Sequence, residues 1–238
     1  MKDLGSFSIK EMDVNGSTIA RPSSSVGDYL KAIWEVGGSD AASTKDVADR
    51  LSVASASVTN MFARLQEMGL AEYERYRGAS LTERGREEAL RLLRRHRLIE
   101  TFLLEHLEYS WQEVHEEAER LEHAVSDGFT ERLAQFLGHP DRDPHGDPIP
   151  AADGTLAAEE SFPLDEAAVG DQVCISRVKH EDAAVLAFLG ERGLVPGRLV
   201  EVKEVRALDG IVTVEDDDGE SHSLGETLAR SIFVRSAA

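Results

Sequence analysis

The spacing of apolar positions divides the chain into three stretches. From Val26 to about Gly78 the repeat is helical. It predicts one helix over residues 28–36 and a second over 44–51, with Ser43 or Thr44 as N-cap. A third begins near Ser55 or Ala56 and stops before Gly69, a residue suited to a helix C-terminus. Residues 70–82, LAEYERYRGASLT, then alternate apolar and polar positions around Arg77-Gly78, the pattern of a short hairpin. Two helices joined by the turn Ser52-Val53-Ala54 and followed by a hairpin describe a winged helix-turn-helix.

The second stretch is also helical. Thr82 opens a long helix reaching about Leu107, with Leu90, Leu93, Leu98, Ile99, Phe102 and Leu103 as its apolar stripe. Ser110 followed by Glu113 forms a capping box for a helix expected over 111–126, and another helix starts near Asp127 and ends at Gly138. Residues 139–150, HPDRDPHGDPIP, are too rich in proline, glycine and aspartate to be helical, and His139 and His145 on this loop are expected to be solvated. From Phe162 to Val234 the period shifts to two, in VGDQVCISRV, RLVEVKEV, IVTVED and SIFVR, with one helix over 182–192 and a turn over 193–197. Short strands broken by glycines predict a small barrel. The expected division is a mobile extension over 1–24, a winged helix-turn-helix over 25–95, a helical domain over 96–150, a linker over 151–162 and the barrel over 163–238. The fold class is mainly α with a small β domain.

Composition changes this picture through charge. The chain has 238 residues, enough for two or three small cores. Its formal net charge of −19 looks wrong for a nucleic-acid binder. Splitting the chain after Arg97 removes the objection: residues 1–97 carry 15 Lys and Arg against 14 Asp and Glu, whereas residues 98–238 carry 11 against 31. Within the first part Arg84, Arg86, Arg91, Arg94, Arg95 and Arg97 form a basic run able to attract phosphate. The single cysteine, Cys174, excludes an intramolecular disulfide framework and a multi-thiolate zinc cluster. No apolar run reaches the roughly 18 residues of a spanning helix, and the start, MKDLGSFSIKEMD, lacks a signal-peptide core. A cytoplasmic protein without a membrane partner is expected.

Two groups of residues carry candidate chemistry. In SASVTNMFARL the early positions Ser55, Ser57, Thr59 and Asn60 are small and polar, while Val58, Met61, Phe62 and Leu65 can pack inward. A recognition helix needs this division, because its N-terminal side chains enter the major groove. Asn60 is a candidate adenine reader, Ser57 or Thr59 a backbone contact, and Arg64, Arg75 and Arg77 phosphate or wing contacts. The bland reading is that the hydroxyls only cap the helix. Further on, WQEVHEEAERLEH places His115, Glu119, Glu122 and His123 within about a third of a helix circumference at roughly 100° per residue. Carboxylates at this spacing repel, so the face either meets water or holds a cation. His96 and Glu100, one turn apart on the preceding helix, supply a second pair of the same type. Coincidental acidity must then explain three histidines as well as the carboxylates.

The chain resembles the diphtheria toxin repressor family of metal-dependent transcription regulators, which includes iron-dependent and manganese transport regulators. The resemblance runs from about Val26 to Val234 and is carried by DYLKAIWEV, VADRLSVASASVTNMFARLQEMGL, YERYRGASLTERG, RRHRLIE, VHEEAERLEHAVSD and the GDPIP loop. It implies a winged-helix DNA-binding domain, a helical dimerisation domain that holds metal, and a C-terminal SH3-like (FeoA-like) barrel. Members bind palindromic double-stranded DNA operators as metal-loaded homodimers. Carried over by position, Asp28 matches the N-terminal metal ligand, and His96, Glu119, Glu122 and His123 match ligands in the dimerisation domain. His96, Glu100 and His115 match an ancillary site, so His96 is shared between the two sets, and Glu181 or His180 is the nearest barrel residue to join it. Iron-dependent members have a methionine and a cysteine where this chain has Asp28 and Glu119, whereas manganese regulators have carboxylates. Oxygen in place of sulfur disfavours softer ions relative to Mn2+, although Fe2+ remains an alternative and Co2+, Cd2+ or Zn2+ can substitute in vitro. Lys31 replaces an acidic ligand of the two-domain manganese regulators. The reading is a Mn2+-responsive regulator, not an enzyme, that represses metal-uptake genes and takes no small organic substrate. Its rivals are a dinuclear metallohydrolase, which leaves the helix-turn-helix unexplained, and a regulator sensing an organic ligand, which leaves the ligand cluster unexplained.

Overall fold

The computed structural model of the chain describes residues 23–158, 160–179, 182–206 and 208–237. The expected mobile extension over 1–24 therefore lies, for residues 1–22, outside the described residues. Two compact units result, Met1–Ala89 and Leu90–Ala238.

The first unit contains α1 (Ser24–Gly37), α2 (Thr44–Arg50), α3 (Ser55–Glu67), the hairpin strands β1 (Ala71–Glu74) and β2 (Gly78–Leu81), and the start of α4 (Glu83–Leu107). Helix α1 begins four residues earlier than expected, after an extended Ser23. Ser43 caps α2 as the sequence suggests: its Oγ accepts the Asp46 N–H at 3.1 Å and donates to the Asp46 carboxylate at 2.7 Å. Leu30, Ile33, Val47, Val58, Phe62 and Leu65 form the core and are fully buried. Each contributes on the order of 2 kcal/mol of transfer free energy. The core fixes α3 against α1 and α2. Strand β2 is anchored by reciprocal backbone hydrogen bonds between Ala42 and Ala79, at 2.8 and 3.0 Å. Gly78 permits this approach, since at φ 102° a Cβ there would lie 2.0 Å from the Ala42 carbonyl oxygen.

The second unit holds the rest of α4, then α5 (Val114–Leu121) and α6 (Asp127–Phe136), packed through Leu98, Ile99, Leu103, Val114, Ala118, Leu133, Ala134 and Ile149. It continues into a six-stranded antiparallel sheet, the predicted SH3-like part. Its strands are β3 (Phe162–Pro163), β4 (Gln172–Val178), β5 (Leu199–Arg206), β6 (Ile211–Asp216), β7 (Ser221–Gly225) and β8 (Ile232–Ser236), in the order β3-β8-β4-β5-β6-β7. Helix α7 (Ala183–Glu191) follows β4 and α8 (Glu226–Ser231) precedes β8. Strand β7 and helix α8 were not expected. In SHSLG only His222 and Leu224 point inward, too little apolar content for a periodicity signal.

Two expectations are corrected here. The helix expected over 111–126 is shorter, spanning only Val114–Leu121. Glu113 reaches back to Ser110, accepting from its N–H at 3.0 Å and from its hydroxyl, so residues 111–113 form a turn. At the other end Ser126 must be extended to cap α6 through the Phe129 N–H, and the chain leaves the helix at Glu122 to reach it. The basic run is also divided. Arg94 donates to the Pro150 carbonyl and pairs with Glu131, Arg95 pairs with Asp127, and Arg97 donates to the Pro148 carbonyl and lies 3.4 Å from Asp143. These guanidiniums hold the loop over 141–150 and α6 rather than facing phosphate.

Candidate functional site

In the first unit α3 turns Val58, Phe62 and Leu65 into the core and leaves Ser55, Ser57, Thr59, Asn60 and Arg64 exposed. No side chain caps its N-terminus, so the capping reading of these hydroxyls does not hold. Thr59 Oγ1 does donate to the Ser55 carbonyl at 3.0 Å, leaving only its acceptor lone pairs for a ligand. Arg75 and Arg77 are exposed at the hairpin turn, Arg75 over the Tyr76 ring at 5.0 Å and Arg77 paired with Glu74 at 3.0 Å. Asp28 lies half-buried on α1, one turn before the buried Lys31.

The second unit gathers the predicted metal-type residues. His96 and Glu100, one turn apart on α4, are both buried. His96 Nδ1 lies 2.6 Å from Glu122 Oε2, and its Nε2 lies 2.9 Å from Glu100 Oε1 and 3.1 Å from His115 Nδ1. Glu119 Oε1 is 3.8 Å from His115 Nε2 and 4.0 Å from His96 Nδ1. His123 Nε2 is 3.5 Å from Glu122 Oε1. Glu122 is fully buried although the helix ends at it, because its backbone stays helical as the C-cap of α5. His96 therefore stands between the Glu122 carboxylate and the Glu100–His115 pair, one ring nitrogen to each. Glu181 and His180 lie outside the described residues.

The sequence reading missed His145. Expected in solvent, it is buried, with Nδ1 3.9 Å from Glu100 Oε1. Glu100, Asp143 and His145 offer ligand atoms within 4.8 Å of one another, as do His96, His115 and Glu119. The available signal was the aspartate two residues before it. Asp143 Oδ1 accepts the N–H groups of His145 and Asp147, at 2.8 and 3.0 Å, and this turn directs the histidine inward. His139, by contrast, is exposed as expected.

Electrostatics set the charge state of this cluster. Burial pushes the Glu100 carboxyl up, but the charge of His96 and hydrogen bonds from His115 and His96 outweigh it and hold the group well below its ordinary value. Burial, together with the charges of Glu100 and Asp147, drives Asp143 the opposite way, and burial lowers His145, favouring its neutral ligating form. Carboxylates crowded in a buried space are offset by histidine charge, by protonation or by a bound cation. Oxygen and nitrogen donors suit first-row divalent ions, and Cys174 lies apart on β4. The donor set thus fits such an ion.

Comparison with known proteins agrees with these features. Residues 23–79 match the iron-dependent repressor N-terminal DNA-binding domain, residues 82–151 the iron-dependent repressor metal-binding and dimerisation domain, and residues 162–236 the FeoA domain. The iron-dependent repressor IdeR of Mycobacterium leprae is 29% identical over 199 residues, 78% of this chain and 86% of that protein. The solved structure of a manganese-dependent transcriptional repressor in complex with manganese is 39% identical with a TM-score of 0.83, covering 89% of this chain and all of that one. The manganese regulator SloR is 34% identical with a TM-score of 0.74, covering 89% of this chain and 98% of its own.

Proposed function

This chain belongs to the iron-dependent, or diphtheria toxin, repressor family of metal-dependent DNA-binding transcription regulators, which are not enzymes, and we propose that it is a manganese-responsive repressor of metal-uptake genes. It acts in the cytoplasm as a metal-loaded homodimer on palindromic operators. Among the described residues no helix is long and apolar enough to cross a membrane. The observation that carries the manganese reading is the oxygen donor Glu119 beside His115 and His96, with a carboxylate also at Asp28. Fe2+ is the second reading, favoured by the likeness to IdeR.

In this proposal Asp28, Glu119, Glu122 and His123 hold the regulatory ion. His96, Glu100 and His115 form the ancillary set, with Glu181 or the pair Asp143 and His145 completing it. A bound divalent ion supplies the positive charge that offsets the clustered carboxylates. A neutral imidazole presents one lone pair, so His96 ligates in one centre and orients the carboxylate of the other through its remaining N–H. Asp28 is the coupling residue: α1 shares one core with α3 through Leu30, Ile33 and Phe62, so restraint at Asp28 reaches the recognition helix. Ser55, Ser57, Thr59, Asn60 and Arg64, with Arg75 and Arg77, form the DNA face. Metal raises the population able to bind DNA, and linkage requires DNA to raise metal affinity equally.

The test is operator binding titrated with Mn2+, Fe2+, Co2+ and Zn2+, in the wild type and in Asp28→Ala. Strongest activation by Mn2+, lost in Asp28→Ala while the fold is kept, is expected. Unchanged Mn2+ dependence in that variant would falsify the coupling, and tight DNA binding after exhaustive chelation would overturn metal control.

A further inference from the structure

Trp111, in the turn before α5, makes three contacts with the loop that carries His145. Its indole Nε1–H donates to the Pro144 carbonyl at 2.9 Å. Its ring lies 5.1 Å from the His145 ring at an interplanar angle of 33°. Its backbone carbonyl lies 3.1 Å from His145 Nε2. The indole also packs against the hydrophobic core of the SH3-like domain. There Gly190 on α7 faces it: a Cβ at that position would lie 3.5 Å from Trp111 Cε3, in ordinary contact, so only a larger side chain would displace the indole.

These contacts set the tautomer of His145. A carbonyl only accepts, so Nε2 carries the hydrogen and Nδ1 presents its lone pair on the side of Glu100. An imidazole whose second nitrogen is tethered to a backbone carbonyl is the arrangement that orients metal ligands. The same loop is bound to β4: the Val178 N–H donates to the His145 carbonyl at 2.9 Å, and Arg177 lies 3.3 Å from Asp147. Gly146 at φ 89° approaches so closely that a Cβ would lie 2.1 Å from the Ser176 carbonyl oxygen. Loop, tryptophan and SH3-like domain form one packed junction beside Glu100.

We propose that Trp111 is a positioning residue that holds His145 Nδ1 towards Glu100, so that divalent-cation affinity at this pair depends on the seat the SH3-like domain provides for the indole. The inference rests on the metal-regulator reading and extends it. It lets the C-terminal domain set the affinity of a centre through packing, without contributing a ligand.

The experiment is calorimetric titration of the full-length protein with Mn2+ and with Co2+, on the wild type, Trp111→Phe, Trp111→Ala, Gly190→Leu and His145→Ala, each checked by circular dichroism. Two ions per chain are expected in the wild type. Trp111→Phe keeps a ring and the backbone carbonyl but loses the indole hydrogen bond to Pro144, and weakens the second ion about fivefold, the worth of one neutral hydrogen bond. Trp111→Ala weakens it further, towards the His145→Ala value. Gly190→Leu shifts it the same way without touching any ligand. The affinity of the first ion is unchanged throughout. The chain has two tryptophans, so in a Trp34→Phe background Trp111 emission falls only as the second Co2+ binds. Loss of the second ion in His145→Ala but unchanged affinity in Trp111→Ala and Gly190→Leu overturns the positioning role. Retention of both ions in His145→Ala overturns the Glu100–His145 pair as a centre. Absence of binding in the wild type overturns the metal-regulator reading itself.

Discussion

Asp216 closes the β6–β7 turn with every lone pair engaged. Its Oδ1 accepts the N–H groups of Asp218 and Glu220, and its Oδ2 lies 2.9 Å from Arg198 Nη2 and 3.1 Å from His222 Nε2. The hydrogen bond from Arg198, then that from His222, holds this carboxyl well below its ordinary value. A depressed folded-state value means stability that is present above the unfolded carboxylate range, about 3.9, and lost as pH falls through the folded value. Asp216→Asn is therefore expected to lower the urea midpoint at pH 7, with the gap to wild type narrowing below about pH 4. A gap that widens on acidification would contradict it. Single residues were unevenly legible in the sequence. Helical spacing alone pairs His96 with Glu100 on one helix and His115 with Glu119 on the next, and the short connection between the helices suggests that the pairs meet. His145 was not legible, because its burial depends on a turn made by Asp143 and on Trp111, far away in sequence.

Elements were legible where one periodicity ran unbroken: α1 to α4, α6 and the longer strands match their apolar repeats. Helix α5 did not, since both its ends are decided by caps, Glu113 folding back on Ser110 and Ser126 committing to α6. Strand β7 was hidden because one of its two inward residues is a histidine. The wing offers a direct test of element packing. Gly78→Val would force a side chain into the Ala42 backbone at positive φ, and a loss on the order of 2–3 kcal/mol is expected in chemical denaturation. The clamp of Arg97 on Asp143 offers another. Arg97→Met leaves the Pro148 carbonyl and the buried Asp143 carboxyl without their donor and should cost on the order of 1–3 kcal/mol. A thermal melt within a degree of wild type would show that the clamp carries no weight.

For the whole molecule, DNA binding must be carried by the first 97 residues, whose charge is nearly balanced, against a remainder with 31 acidic and 11 basic residues. Because Arg97 is spent internally, Arg97→Met should leave the slope of log affinity against log salt unchanged, whereas Arg64→Ala should reduce it by about one. The proposed homodimer has a candidate face in the region matching a dimerisation domain, where Leu107, Phe129 and Phe136 are exposed and the Phe136 ring lies 4.8 Å from that of His106. Phe136→Glu should shift sedimentation towards the monomer and weaken operator binding, and an unchanged sedimentation coefficient would remove this face from consideration. The close passage of Gly146 over Ser176 bears on how such regulators can be recombined. A chimera joined in the linker near residue 151 would pair one parent's 143–147 loop with another's β4, and any bulk at the crossing would keep the foreign domain from seating. Loop and strand must be inherited together, so the natural cassette begins before the linker rather than after it.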